Sequence, residues 1–186
     1  MSAVLGPFEV VKIFSPAECA EIIAIAHANV FRDAKLVGAR QSQTLRRSQT
    51  SWLDDEGAAN WVFQRLLTTF ATTNRDHFDF ALEEFAERMQ VAWYEALPAD
   101  FFDWHIDTGS GALAARRKLT MVVQLSEAES YSGGELQTNV DGHVRVASRS
   151  VGSGLVLPSF MLHRVSPVTH GDRYSLTLWS HGPAFR

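Results

Sequence analysis

The sequence has a single cysteine, Cys19, in 186 residues. One thiol excludes an internal disulfide, a zinc site built from several cysteines and a Cys-x-x-Cys redox motif. No apolar run approaches the roughly 18 residues of a membrane-spanning helix. The N-terminus also lacks the basic and apolar segments of a signal peptide. Because a lone thiol fits a reducing compartment, we expect a cytoplasmic protein with no membrane partner.

Basic residues are also few: 17 Lys and Arg stand against 21 Asp and Glu, which gives a net charge of −4. This balance argues against a protein that binds nucleic acid through a broad basic surface. Apolar residues make up 46% of the chain and charged residues 20%, which is typical of a soluble globular protein. The length fits one domain over 1–186, and the oligomeric state has no signal in the sequence.

The first third of the chain predicts two helices. Ser15-Pro16-Ala17-Glu18 combines Ser at the N-cap, Pro at N1 and Glu at N3, and it predicts a helix over 15–30. Asp54-Asp55 predicts the N-cap of a second helix that ends near Phe70. Around these helices we predict extended segments at 8–14 and 45–53 and an irregular segment at 31–44.

After about residue 85 the sequence becomes a series of short segments rich in Val, Leu, Thr and aromatic residues, separated by Gly, Ser, Asn and Pro. We predict strands at 88–96, 100–107, 117–125, 134–138, 143–148, 154–157, 160–165 and 173–181. This order predicts an α+β protein that is mainly β. A closed or double-sheet β core at about 85–186 would carry helical support from about 1–80 on one face.

Seven histidines beside one cysteine indicate that any bound metal is held by imidazole and carboxylate. His105 and Asp107 are two apart on the predicted strand 100–107, so they project to the same side. His163, in an otherwise largely apolar segment, is the best candidate for a third ligand. Two histidines and one carboxylate on one side of a metal form the facial triad of non-haem Fe(II) oxygenases.

Ten residues after His163, Arg173 and Ser175 share one face of a predicted strand. A guanidinium fork beside a hydroxyl suits a carboxylate that is bound bidentately. Either residue alone would be read as an exposed residue of an edge strand. The ordered set of His-x-Asp, a distal His and Arg-x-Ser is hard to obtain by accident.

These residues resemble the iron(II)- and 2-oxoglutarate-dependent dioxygenases, in the branch similar to prolyl 4-hydroxylases. Three further segments match this branch in order: the strand of Tyr94, the strand of Thr120 and the Gly-Gly-Glu turn at 133–135. The resemblance implies a double-stranded β-helix, or jelly roll, with supporting N-terminal helices. It departs from many prolyl 4-hydroxylases at Gln124, where several relatives carry tyrosine, and at Arg173, where many carry lysine. Neither difference bears on the metal, but both leave the substrate open.

The resemblance also implies roles for individual residues. The iron ligands and catalytic residues would be His105, Asp107 and His163. Arg173 would bind the distal carboxylate of 2-oxoglutarate, and the same co-substrate would be contacted by Tyr94, Thr120 and Ser175. Arg46, in an Arg-x-Ser segment, and Trp52 would lie at the substrate cleft.

The implied activity is hydroxylation of an unactivated C–H bond in a peptidyl residue, an amino acid or a related small molecule, with release of succinate and CO2. It requires Fe(II), 2-oxoglutarate and O2, with ascorbate as a supporting reductant. Two alternatives stay open from the sequence. One is a cupin-type metal enzyme that does not use 2-oxoglutarate, and the other is a non-catalytic binding or sensing module on the same fold.

Overall fold

Two antiparallel sheets face each other in the computed structural model of the chain, which describes residues 5–34 and 45–185. The larger sheet has the strand order β1-β11-β7-β14-β5-β4-β2, the smaller one β10-β9-β12-β6-β3, and β13 pairs with β8. The strands are β1 (Phe8–Val10), β2 (Arg32–Asp33), β3 (Arg46–Arg47), β4 (Gln49–Leu53), β5 (Met89–Glu95), β6 (Phe101–His105), β7 (Arg117–Gln124), β8 (Ser132–Gly133), β9 (Leu136–Asn139), β10 (Val144–Val146), β11 (Gly154–Pro158), β12 (Leu162–Val165), β13 (Val168–His170) and β14 (Asp172–His181).

The architecture confirms the predicted mainly β fold of the jelly-roll type. Each of the eight predicted strands has a counterpart, with ends that differ by up to two residues. The short strands β2, β8 and β13 were not predicted, because two or three residues carry no readable alternation. The first third of the chain supplies four strands as well as helices, and β4 joins β5 within the larger sheet.

Helix α1 (Pro16–Ala28) confirms the predicted capping box. The Ser15 hydroxyl accepts from the backbone N–H of Glu18, and the Glu18 carboxylate accepts from the backbone N–H of Ser15. The cap predicted for the second helix is wrong: α2 (Asn60–Thr73) begins after a 3-10 turn at Gly57–Ala59 and has no side-chain cap. The Asn60 side chain instead bonds the Asp55 carbonyl. Of the predicted irregular segment, 35–44 lies outside the described residues.

Strand β7 shows how the fold separates packing from chemistry. Leu119, Met121 and Val123 point outward into a core cluster shared with the helices, whereas Val122 belongs to a second cluster between the sheets. Because side chains alternate along a strand, Thr120 and Gln124 also face the interior between the sheets. Within the described ranges, no helix is both long and apolar enough to cross a membrane.

Candidate metal centre and co-substrate site

The predicted triad converges at one end of the space between the sheets. One ligand atom from each of His105, Asp107 and His163 lies within 4.8 Å of the other two. The Nε2 atoms of His105 and His163 each lie 3.6 Å from one carboxylate oxygen of Asp107, Oδ1 and Oδ2 respectively. The two histidines are direct partners across β6 and β12. The structure therefore brings the three predicted ligands together.

Asp107 reaches this position in a different way from the one predicted. Strand β6 ends at His105, so Asp107 does not follow it as the next same-face residue of a strand. The chain turns after His105, and the backbone N–H of Asp107 donates to the Ser159 carbonyl at 2.8 Å. This turn, pinned to the end of β11, aims the carboxylate back at the two imidazoles.

Both histidines are held with Nε2 facing the carboxylate. Nδ1 of His105 bonds the Asp103 carbonyl at 2.7 Å, and Nδ1 of His163 bonds the Met161 carbonyl at 2.9 Å. Because a carbonyl can only accept, each Nδ1 carries the hydrogen, and in the neutral form of such an imidazole the lone pair lies on Nε2. Burial, with the neighbouring His163, lowers the pKa of His105 to about 3, so this imidazole is neutral at physiological pH.

Two donors fix one oxygen of the Asp107 carboxylate. Oδ2 accepts from Thr120 Oγ1 at 2.7 Å and from Trp179 Nε1 at 3.0 Å. Oδ1 accepts no hydrogen bond from the part of the chain that the structure describes. Burial alone would raise the pKa of Asp107, but the neighbouring His163 and His105 lower it overall. Asp107 therefore presents an ionised carboxylate with Oδ1 free to bind a cation.

A partly buried ion pair supports the turn that carries Asp107. Nη1 of Arg117 donates to the Asp107 carbonyl at 3.1 Å, and the guanidinium lies 4.2 Å over the Trp179 ring. Arg117 also binds both carboxylate oxygens of Glu87, which His181 contacts at 3.0 Å. Burial would raise the pKa of Glu87, but the hydrogen bonds from His181 and Arg117 outweigh it and bring the pKa to about 2.

Arg173 lies in the interior with 1% of its surface exposed. Its Nη1 donates to Ser175 Oγ at 3.3 Å, and its guanidinium carbon lies 5.4 Å from the ring centre of Tyr94. Among the described residues, no carboxylate lies within ion-pair distance, and the buried Nε has no hydrogen-bond partner. A buried cation without a counter-charge is strongly unfavourable. The site thus fits an anionic ligand, and the predicted residues Tyr94 and Ser175 lie beside it.

The two residues predicted at the substrate cleft line a cleft of about 540 Å³. Arg46 is buried, donates to Ser48 and Gln90, and lies 4.7 Å over the ring of Phe102. Phe102 in turn stacks on His105 with 3.4 Å between ring centres. The Trp52 ring lies 6.3 Å from that of Trp179, which bonds Asp107. The cleft therefore adjoins the triad through two aromatic contacts.

A model of the 2OG-Fe(II) oxygenase superfamily matches residues 89–181, which is half of the chain. The chain belongs to this superfamily. It is therefore an Fe(II)- and 2-oxoglutarate-dependent oxygenase, as predicted, and the donor set described above fits both groups.

The chain is similar to proteins named PKHD-type hydroxylases. One from Hyphomonas neptunium is 37% identical over 83 residues, which is 43% of this chain and 37% of that protein. One from Bordetella pertussis is 26% identical over 176 residues, which is 92% of this chain and 76% of that protein. The chain thus spans about a third of the first relative and three quarters of the second.

Two solved structures share the fold. A Pseudomonas putida prolyl-4-hydroxylase aligns with a TM-score of 0.78 at 21% identity. The alignment covers 98% of this chain and 95% of that protein's chain. A Trichoplax adhaerens prolyl hydroxylase, in complex with a hypoxia inducible factor peptide fragment, has a TM-score of 0.79 at 16% identity and covers 96% and 84%. At these identities the two likenesses show a shared fold, which supports the predicted prolyl 4-hydroxylase-like branch. The family match shows the superfamily.

Proposed function

We propose that the chain is a hydroxylase in which His105, Asp107 and His163 hold Fe(II). The observation that carries this assignment is the fixed orientation of the three donors, since both Nδ1 atoms are engaged by carbonyls and both Nε2 atoms face the carboxylate. Two imidazoles and one carboxylate suit Fe(II) and leave coordination positions for other ligands. When bound, Fe(II) with 2-oxoglutarate and O2 supplies the oxidising power for C–H hydroxylation, with release of succinate and CO2.

The protein's own residues divide the remaining work. Arg173 binds the distal carboxylate of 2-oxoglutarate through its guanidinium fork, with Ser175 and Tyr94 orienting the side chain. Thr120 and Trp179 hold Asp107 Oδ2 and fix the carboxylate, which would leave Oδ1 available to Fe(II). Thr120 thereby contributes to the metal centre, in addition to its predicted place beside the co-substrate.

The substrate enters the cleft beside the triad, and we assign it to the class of peptidyl residues. The Trichoplax adhaerens prolyl hydroxylase, which shares the fold, is in complex with a peptide fragment. Arg46 uses Nε and Nη2 on Ser48 and Gln90, and its Nη1 bonds none of the described residues. Nη1 can therefore donate to a peptide carbonyl or to a carboxylate of the substrate.

A succinate-release assay with Fe(II), 2-oxoglutarate and ascorbate tests this function. Proline-containing peptides, free amino acids and small carboxylates are supplied in parallel arms. His105→Ala, Asp107→Ala and His163→Ala should each abolish turnover and lower bound iron in metal analysis, because each removes one ligand. His143→Ala, at an exposed histidine, is the matched control and should keep parental turnover and parental bound iron.

The same assay separates the alternatives. Near-normal succinate and iron in any one triad variant would show that its ligand assignment is wrong. Substrate turnover that does not depend on 2-oxoglutarate would favour the cupin-type enzyme. Binding of 2-oxoglutarate without succinate release in any arm would favour the non-catalytic module.

A further inference from the structure

Gly134 lies directly against the side chain of Arg173. It belongs to the Gly-Gly-Glu turn, between β8 and β9, and it has φ of +59°, a backbone conformation that favours glycine. A Cβ built on Gly134 would lie 2.8 Å from Arg173 Cδ and 2.9 Å from Val168 Cγ2. Both distances are shorter than real Cβ contacts, so any side chain at this position forces a neighbour to move.

Arg173 is the neighbour that would move. Val168 is fully buried and β-branched, so its side chain has little freedom to rotate. The backbone N–H of Gly134 is held by the Pro167 carbonyl at 3.1 Å. Arg173, by contrast, is unbranched, and together with Gly134 it borders a cavity of about 20 Å³. This cavity, about the space of one water molecule, leaves room for a small shift of the arginine side chain.

We propose that Gly134 is a positioning residue for the co-substrate, because the missing side chain at 134 lets Arg173 lie where its guanidinium meets the distal carboxylate. The inference rests on the proposed role of Arg173. A guanidinium holds a carboxylate through two parallel, directed N–H donors, so a displaced Cδ misaligns both at once. Gly134 thus affects 2-oxoglutarate binding without touching it.

The test measures 2-oxoglutarate affinity by calorimetry on anaerobic, Fe(II)-loaded protein. Gly134→Ala should weaken binding by about tenfold to a hundredfold, the range expected from the loss of one hydrogen bond to a charged group. Fe(II) affinity, measured separately, should be unchanged, because residue 134 contacts no ligand of the triad. Gly57→Ala is the matched control: Gly57 has φ of +61° and nothing within 4 Å of its added Cβ. It carries the same backbone strain and should leave both affinities as in the parent.

Pyruvate is a keto acid without the distal carboxylate. Its affinity distinguishes a displaced Arg173 from a general distortion of the site, because only the distortion would weaken pyruvate binding. Gly134→Ala should bind pyruvate as the parent does, and an equal loss for pyruvate and 2-oxoglutarate would overturn the inference. Arg173→Met is measured alongside. Parental affinity in Arg173→Met would remove the proposed role of Arg173 itself. Weak binding in Arg173→Met with parental binding in Gly134→Ala would overturn only the role of Gly134.

A double variant covers the case in which Gly134→Ala does not fold. Adding Val168→Ala removes one of the two close contacts and keeps the one with Arg173 Cδ. The double variant should bind 2-oxoglutarate more weakly than Val168→Ala alone. Equal affinity in these two proteins would assign the conflict to Val168 and refute the inference.

Discussion

Replacing Arg173 with methionine removes the guanidinium but keeps an unbranched side chain between the sheets. The distal carboxylate of 2-oxoglutarate would then be buried without a partner, which typically costs about 3–5 kcal/mol. At about 1.4 kcal/mol per decade, this loss corresponds to roughly two to three and a half decades in affinity. Fe(II) affinity should stay unchanged, because the guanidinium is not among the three proposed ligands.

The stability of the same variant gives a second, independent measure. At a 2-oxoglutarate concentration of 100 times its Kd, the parent gains about 2.7 kcal/mol in free energy of unfolding. A variant that binds 100-fold more weakly gains only about 0.4 kcal/mol at the same concentration. Without 2-oxoglutarate, Arg173→Met should be no less stable than the parent, because the charge that it removes is buried and unpaired among the described residues.

Anaerobic calorimetry and denaturant unfolding, each with and without 2-oxoglutarate, measure these quantities. The 2-oxoglutarate affinity of Arg173→Lys should lie between those of the parent and Arg173→Met, since lysine keeps the charge but lacks the two parallel donors of the guanidinium. Arg46→Met also removes a buried arginine, but one that lines the proposed substrate cleft, and it should keep parental 2-oxoglutarate affinity. Equal affinities for the parent and Arg173→Met would refute the assignment of Arg173.

Two further predictions concern the surroundings of Asp107. Trp179→Phe loses the hydrogen bond to Asp107 Oδ2 and should weaken Fe(II) binding by about tenfold or more in a metal titration. The control is Trp61→Phe, which should keep the parental Fe(II) affinity because the Trp61 indole N–H has no partner among the described residues. Glu87 has its pKa lowered from 4.5 to about 2, so its contribution of about 3 kcal/mol is present above pH 4.5 and is lost as the pH falls toward 2. Glu87→Gln should flatten the dependence of the free energy of unfolding on pH in this range. Glu129→Gln, at an exposed glutamate, is the control and should keep the parental slope. An unchanged slope in Glu87→Gln would contradict the lowered pKa of Glu87.

Spacing within a single strand predicted two pairs of site residues, whereas His163 was chosen as a third ligand on another strand and Tyr94 and Thr120 came from the resemblance. Arg173 and Ser175 are two apart on β14, and they lie together as the alternation requires. The same rule placed His105 and Asp107 together but for an incomplete reason, because the strand ends at His105 and a turn completes the geometry. A period-two pattern cannot show where a strand stops.

The supporting contacts could not be predicted, because they join distant parts of the chain. Trp179 is 72 residues from Asp107, and Arg117 is 30 residues from Glu87. Nothing in the local sequence of either pair indicates the other member. Trp179 did have one signal: it continues the face of Arg173 and Ser175 along the same strand, which places its indole between the sheets.

Strand β14 explains how packing fixes the chemistry. On one face, Leu176 and Leu178 belong to the core cluster shared with the helices. On the other face, Arg173 is paired in register with Tyr94 and Trp179 with Thr120. A slip of one residue would turn the leucines into the interior and the arginine and tryptophan into the helical core. Because both faces are buried, the apolar face specifies the register. The positions of Arg173 and Trp179 between the sheets, beside the proposed co-substrate and metal sites, are therefore fixed by leucines on the opposite face of β14.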